Sequence, residues 1–239
     1  MIISHVYKYV FVELPHTAST SITKELCETY EGQKILAKHS PYHKFLRSAN
    51  AEEKKYFVFS GIRNPLDVVV TKYFKLKTNH NEHFTDPKRW KRNGGWVTDY
   101  DLKQFKFIQD NNANFPMFFK RYYTFPYDNW SCLAHKQFDF VIRFENLQED
   151  FSQVIKLLGI EQKKDLPLTN KTGKKKDFLS YYTPEIRDQA KRVFSPFLKK
   201  WGYDFPPEWG DNSDSWQNQV QLSLINIPRK LYWRYLKKY

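Results

Sequence analysis

Two runs of strand-forming residues, each ending in a short turn that leads straight into a helical pattern, constrain the fold of this chain most. The first run spans Tyr7 to Leu14, and after the turn Pro15–Ser21 the residues from Thr20 to Tyr30 carry apolar side chains at helical spacing. The second run spans Lys55 to Ile62 and precedes Pro65, a residue favoured at the first position of a helix. Strands that alternate with helices predict a parallel sheet.

The rest of the chain continues this alternation. Apolar spacing and helix-start residues predict a capped helix beginning at Ser40-Pro41, a strand from Phe138 to Phe144, a helix from Leu147 to Leu158 stopped by Gly159, and a helix opened by Thr183-Pro184. Residues 79–100 are polar, aromatic and turn-rich, so we expect an insertion outside the core. The first five residues are expected to lead straight into the first strand.

Length and charge limit the organisation and the partners of the protein. A chain of 239 residues can bury one sizeable core, so we expect one α/β domain over residues 1–209 and a basic, aromatic tail over 210–239. The net charge of +13 predicts attraction to polyanions, which include nucleic acid, acidic glycans, anionic lipid and phosphorylated cofactors. Charge alone does not choose among them. The two cysteines, Cys27 and Cys132, are far apart in sequence, which argues against a disulfide framework.

No apolar run approaches the roughly 18 residues that cross a bilayer, and the start of the sequence does not read as a signal peptide. We therefore expect a cytoplasmic location. In the tail, Pro228 is expected to open a final short helix whose apolar and basic residues would contact an anionic membrane surface, the chain's own domain, or a second subunit of a homodimer.

The two turns are suited to anion binding, because each aims backbone N–H groups and a helix N-terminus at one place. The phosphate-binding loop of kinases requires Gly, four spacers, then Gly-Lys and Ser or Thr, and neither turn supplies that ending. For the first turn the alternative is an ordinary strand-to-helix connection in which Thr20 or Ser21 caps the helix.

The motifs at these turns resemble those of the PAPS-dependent sulfotransferase superfamily, particularly the Golgi-type carbohydrate enzymes and their bacterial relatives. Pro15–Ser21 reads Pro-His-Thr-Ala-Ser-Thr-Ser, where the family reads roughly Pro-Lys-Thr-Gly-Gly-Thr-Ser. Arg63-Asn64-Pro65 with Thr71 matches the family's second motif, an Arg-Asn-Pro with Ser or Thr eight positions after the arginine. The stretch Phe140–Leu147 is similar to a further strand and corner of the family, and the resemblance spans most of residues 5–206.

The resemblance implies a P-loop-NTPase-like three-layer α/β fold, with a central parallel sheet flanked by helices. It also implies PAPS (3′-phosphoadenosine 5′-phosphosulfate) as sulfuryl donor, with no metal required. Residues 16–21 would hold the phosphosulfate, Arg63 and Thr71 the 3′-phosphate, and a late loop would close over that phosphate. The donor-binding residues implied in this way are His16, Thr17, Ala18, Ser19, Thr20, Ser21, Arg63, Thr71, Lys171 and Lys174.

Transfer to a hydroxyl needs a base near the sulfur and a cation near the departing phosphate oxygen. His39 is in a Lys-His segment similar to one that supplies a base in related enzymes, and we assign it that role; His43 and Glu13 are alternatives. His16, which replaces the family's lysine, would donate to the bridging oxygen. Ala18 and Ser19 replace two glycines of the family loop, which restricts the backbone conformations available there.

Three classes of function follow. The first is a sulfotransferase whose acceptor is a hydroxyl on a carbohydrate or glycolipid, with no nucleic acid as partner. Lys72 to Trp96, rich in basic and aromatic residues, would form its acceptor pocket or lid, although the same composition suits single-stranded nucleic acid or simple packing. The second class is a nucleotide-dependent small-molecule kinase. The third is a noncatalytic basic module that binds nucleic acid or acidic glycan.

Overall fold

The computed structural model describes residues 1–128, 138–167, 177–210 and 216–232. The chain divides into two compact units. The first unit comprises Met1–Asn64, Asp128–Lys171 and Leu224–Tyr239, and the second comprises Pro65–Tyr127 and Thr172–Ser223. The predicted boundary between residues 209 and 210 stays a prediction.

The first unit contains a mixed sheet with five strands among the described residues. These strands are β1 (Ile2–Ser4), β2 (Tyr9–Val12), β3 (Gln33–Lys34), β4 (Phe57–Ile62) and β5 (Phe140–Arg143). Their order across the sheet is β3-β1-β2-β4-β5. The pairs β2/β4 and β4/β5 are parallel, whereas β1 is antiparallel to both β2 and β3. The sheet is therefore mostly parallel, and only β1 runs against the others.

The start of the chain differs from the prediction. Residues Ile2–Ser4 form a strand of their own, which pairs antiparallel with Tyr9–Val12. A tight turn joins the two strands, and Lys8 adopts a left-handed backbone with φ of 53° there. The expectation that the first five residues lead straight into the first strand was wrong, because this hairpin reverses the chain first.

Eight helices are present in the parts of the chain that the structure describes. They are α1 (Ser19–Thr29), α2 (Tyr42–Ser48), α3 (Pro65–Lys77), α4 (Asp99–Asp110), α5 (Phe115–Tyr122), α6 (Leu147–Leu157), α7 (Pro184–Trp201) and α8 (Trp216–Leu231). The predicted helix starts at Pro65, Leu147 and Pro184 are confirmed. Helix α2 begins at Tyr42 with Pro41 as the capping residue, so the prediction of Ser40 as cap was wrong by one position.

The core of the first unit lies where α1 and α6 pack on the sheet. The helices contribute residues at helical spacing, such as Ile22 and Leu26 of α1, and the strands contribute Phe11 and Phe59, all fully buried. This burial of one apolar helical face explains why the periodicity in the sequence located α1 and α6 correctly.

The second unit is built around aromatic side chains of α3, α5 and α7. Tyr182 is buried at its centre, where its hydroxyl donates to Leu66 O (3.0 Å) and its ring meets Phe115, Phe119 and Phe194. Helix α4 packs beside α3 and starts with a capping box in which Thr98 and Asp101 satisfy each other's backbone amides.

Residues 79–98 contain three short 3₁₀ turns, as expected for a turn-rich segment, and Asp99 begins α4. Phe84 and Val97 nevertheless belong to the core of the second unit. The prediction that this segment lies outside the core was therefore wrong for these two side chains. Composition did not reveal Phe84 and Val97 as core residues, because most of their neighbours in the sequence are polar.

The last helix also differs from expectation. Pro228 lies inside α8 rather than opening a helix. A proline near the C-terminal end removes one backbone hydrogen bond without stopping the preceding turns. Within the described residues, no helix combines the length and apolar character needed to cross a membrane.

Candidate anion-binding and catalytic site

The first unit gathers the predicted motifs at one edge of its sheet. Strands β2 and β4 pair with Val12 opposite Ser60, and β4 and β5 pair with Ile62 opposite Arg143. The loop after β2 and Arg63 after β4 therefore leave the sheet at the same carboxyl edge. This edge is where open α/β sheets bind their ligands.

The loop between β2 and α1 has an unusual backbone. His16 and Ala18 are left-handed, with φ of 65° and 57°. Ala18 is the N-cap of α1 and makes no side-chain cap hydrogen bond. The alternative in which Thr20 or Ser21 caps the helix is therefore wrong, because both residues already lie within the helix. Ala18 occupies the position of one of the two glycines in the family loop, and its backbone is left-handed although it carries a side chain.

Amide groups at the start of α1 point out of the helix. The N–H groups of Ser21 and Ile22 donate to Ala18 O at 3.0 and 3.2 Å. In the described structure those of Ser19 and Thr20, the two residues before Ser21, have no acceptor within the helix, as at any helix N-terminus. These amides and the partial positive charge of the helix end favour an anion at the loop.

The loop is held firmly against the sheet. The hydroxyl of Thr17, which is buried, donates to Leu14 O at 3.0 Å, and the hydroxyl of Ser60 donates to Val12 O at 2.6 Å. Gly61 lies directly beside Thr17, because a Cβ at Gly61 would be 2.9 Å from Thr17 O. The absence of a side chain on Gly61 is what lets the loop approach the strand.

A lysine that the sequence reading did not select reaches this loop. Lys38 Nζ donates to the Thr20 hydroxyl at 2.8 Å, which places an ammonium group at the first turn of α1. His16, the predicted cation, is exposed on the same loop. The signal for Lys38 was weak, since it lies beside His39 in sequence but 18 positions from the residue it contacts.

His39 also lies near the loop. Its Nδ1 is 3.0 Å from the carbonyl oxygen of Glu13, the residue that follows β2. Because a carbonyl only accepts, Nδ1 carries the proton in the neutral ring and Nε2 keeps its lone pair. Burial lowers the pKa of His39, with the nearby charge of Lys38 acting in the same direction and the bond to Glu13 opposing it. The ring is therefore neutral near pH 7.

The two alternative bases are placed differently. Glu13 is buried, and its carboxylate contacts the α-amino group of Met1 at 2.6 Å and accepts from Thr23 Oγ1 at 2.9 Å. Both of its oxygens are thus engaged in holding the fold. His43 lies in the first turn of α2 and is half-buried. Of the three candidates, His39 combines a fixed tautomer with proximity to the loop.

The predicted 3′-phosphate residues are placed as follows. Arg63 is buried and its guanidinium stacks on the Phe144 ring, with Cζ 4.0 Å from the ring centre. Thr71 is buried in α3, within the second unit, so its pairing with Arg63 stays a prediction. Lys171 and Lys174 lie outside the described residues, as do Cys132 and most of the predicted late loop.

A groove of about 340 Å³ begins beside the loop and follows one side of α1. Thr20 and Lys38 line its end near the loop, and Lys34 and Glu28 lie farther along. Within the described residues, no group of three or more His, Cys, Asp or Glu side chains is arranged to hold a metal ion.

The first unit thus has a turn whose outward amides favour an anion after its second strand, and a neutral histidine near that turn, an arrangement that suits a group-transfer enzyme. The sequence profile of the sulfotransferase family matches residues 1–203, and the chain belongs to this family. No curated protein matches the chain significantly. No solved structure does so either.

Proposed function

We propose that this protein transfers a sulfuryl group from PAPS to a hydroxyl on a carbohydrate or glycolipid. The observation that carries the proposal is the left-handed turn at the N-terminus of α1, with Lys38 bound to Thr20 and with His39 held close by. Membership of the sulfotransferase family supports the reaction class. The proposal also includes a P-loop-NTPase-like fold, which the resemblance of the sequence implies.

The residues of the first unit fit a phosphosulfate group. PAPS, when bound, supplies an activated sulfuryl group on a phosphate leaving group. The outward amides of Ser19 and Thr20, with the hydroxyls of Thr20 and Ser21, would orient its phosphosulfate end at the helix terminus, while the buried Thr17 hydroxyl, which donates to Leu14 O, keeps the loop in place. We assign the 3′-phosphate to Arg63 and Thr71, with Lys171 and Lys174 closing the site.

His39 is the proposed general base. With the proton fixed on Nδ1 by Glu13 O, the Nε2 lone pair is available to accept the proton of an acceptor hydroxyl. The lowered pKa keeps the ring unprotonated at neutral pH, so the base is ready without a prior deprotonation. A base of this kind contributes roughly 10²- to 10⁴-fold to turnover.

Lys38 is the proposed permanent cation at the leaving phosphate, and His16 is a second donor on the same loop. The ammonium of Lys38 is already at the first turn of α1, where a charge-assisted bond to a phosphate oxygen contributes roughly 1.5–3 kcal/mol. This position compensates for the lysine that the family loop has and this chain lacks at His16. An imidazole alone would supply the charge only when protonated.

Calorimetric titration tests donor binding before any acceptor is known. We expect PAP, the product of PAPS, to bind without magnesium, and Arg63→Gln to weaken it by about tenfold or more. Lys55→Gln is the control, since Lys55 is exposed and precedes the amino end of β4, whereas Arg63 follows its carboxyl end. Preference for magnesium ATP would favour a kinase. Salt-sensitive oligonucleotide binding without PAP affinity would favour the basic module.

The role of Lys38 is tested by moving the positive side chain from position 38 to position 16. Lys38→Met should lower PAPS-dependent turnover, and adding His16→Lys to that variant should restore part of it. Transfer of radiolabelled sulfate from PAPS to a carbohydrate extract of the source cells provides the assay. If Lys38→Met retains full turnover while PAP still binds, the family reaction stands and the assignment of Lys38 is wrong.

The role of His39 is tested in the same assay. His39→Gln should lower turnover by roughly 10²-fold or more while leaving PAP affinity within a few-fold. Unchanged turnover would remove His39 from the mechanism and direct attention to His43.

A further inference from the structure

Helix α8 presents an apolar stripe to solvent. Trp216, Val220, Leu224, Ile227 and Leu231 recur at spacings of three or four residues and are 72, 44, 61, 55 and 52% exposed. Residues at this spacing share one face of a helix. A contiguous apolar stripe on a protein surface commonly marks a contact with a partner or a membrane.

The opposite face of α8 already has its packing contacts. Leu222 and Asn226, four residues apart, are 8 and 6% exposed. Arg229, one turn farther on, donates to the Asn226 side chain at 3.4 Å. The helix is thus seated through this second face, and the apolar stripe is not the side that docks it on its own chain.

The charge on the helix is positive. Helix α8 has two basic residues, Arg229 and Lys230, and neither Asp nor Glu. Among the described residues, Lys230 is exposed beside Leu231, and Trp216 and Tyr232 stand at the two ends of the helix. Aromatic ends, an apolar stripe and basic residues without acids are the pattern of helices that lie in the interface of an anionic bilayer.

We propose that α8 docks the protein on an anionic membrane surface, with its apolar stripe at the headgroup boundary and Lys230 on the lipid phosphates. Charge selects this occupant over a second copy of the chain, because the copy carries the same net charge of +13 and its own α8 offers no acidic residue to pair with Lys230. Each basic residue near an anionic surface strengthens binding by about fivefold. The proposal does not depend on the sulfotransferase activity.

Vesicle flotation with the full chain tests this docking. We expect binding to vesicles of 70% phosphatidylcholine and 30% phosphatidylglycerol, little binding to pure phosphatidylcholine, and a large loss between 50 and 500 mM salt, as screening predicts. The double variant Leu224→Glu/Ile227→Glu should bind the anionic vesicles at least tenfold more weakly, and Lys230→Glu about fivefold or more.

The matched control is Val6→Glu/Phe125→Glu, which adds the same charges at two exposed apolar side chains outside α8. It should bind vesicles as the parent does within a few-fold. Circular dichroism verifies the fold of each variant, and the salt dependence of the parent tests the proposal without any variant. Binding that ignores lipid charge, or that survives the α8 variants, would overturn it. The proposal would also be overturned if the parent protein formed a homodimer and did not bind vesicles, and if the α8 variant lost that dimer.

Discussion

Replacing Gly61 with alanine should disturb the candidate site through the backbone alone. The added Cβ would lie 2.9 Å from Thr17 O, 3.0 Å from Thr17 Oγ1 and 3.1 Å from Thr17 Cβ. Ordinary contacts of this kind begin at 3.4 Å, so the loop must move away from β4 by about 0.5 Å. The nearest atom belongs to the backbone, and a change of rotamer cannot relieve the contact.

Two effects of different size follow from this displacement. Overpacking of this kind costs about 1–3 kcal/mol of folding stability. A shift of about 0.5 Å is also at the limit within which a binding site keeps its geometry, so PAP affinity should fall by roughly tenfold. Urea unfolding measures the first effect and calorimetric titration with PAP the second.

Ser60→Ala provides the control on the same strand. It removes the hydroxyl that donates to Val12 O and costs about 1 kcal/mol, yet it adds no atom beside the loop. PAP affinity should therefore remain close to that of the parent. If Gly61→Ala unfolds at the same urea midpoint as the parent, the strand and the loop are not in close contact at Gly61, and the reasoning is refuted. If it is destabilised but binds PAP normally, the loop does not hold the donor.

Two further predictions concern the same loop. Ala18→Gly should stabilise the protein by about 0.5–1 kcal/mol in urea unfolding, because relief of the left-handed strain at Ala18 exceeds the entropy that glycine loses; a destabilised variant would contradict this. His39 has a lower pKa in the folded protein than its ordinary value of 6.5. The contribution of His39 to stability is therefore complete above pH 6.5 and is lost as the pH falls through the pKa of the folded state. The parent should therefore lose stability relative to His39→Gln on acidification below pH 6.5, and parallel curves for the two proteins would refute the shift.

Local sequence signals located the elements that carry the candidate site. The runs Phe57–Ile62 and Phe140–Arg143 are mostly apolar, as strands buried in a parallel sheet are, and the helix starts at Pro65 and Pro184 have a local steric cause. The strands Ile2–Ser4 and Gln33–Lys34 were missed. They are two or three residues long and exist only through antiparallel pairing with each other and with β2.

Side-chain positions were predictable where the motif is local and not where the chain folds back. The loop and Arg63 could be identified because each lies at the end of its own strand. The contact between Lys38 and Thr20 joins residues 18 positions apart and depends on the path taken by residues 33–41, which no local pattern specifies. The fixed tautomer of His39 has the same origin, since its partner Glu13 is 26 positions away.

The departures of this loop from the family pattern can be explained by conformation and charge. A glycine position of the family aligns with Ala18, and the chain still adopts the left-handed conformation there, which indicates that the surrounding contacts of Thr17 and Gly61 impose it. The lysine position aligns with His16, and an ammonium group nevertheless reaches the same turn from Lys38. If the turn binds an anion, as we propose, that binding depends on where the amides and the cation are placed, and less on which residue of the loop supplies them.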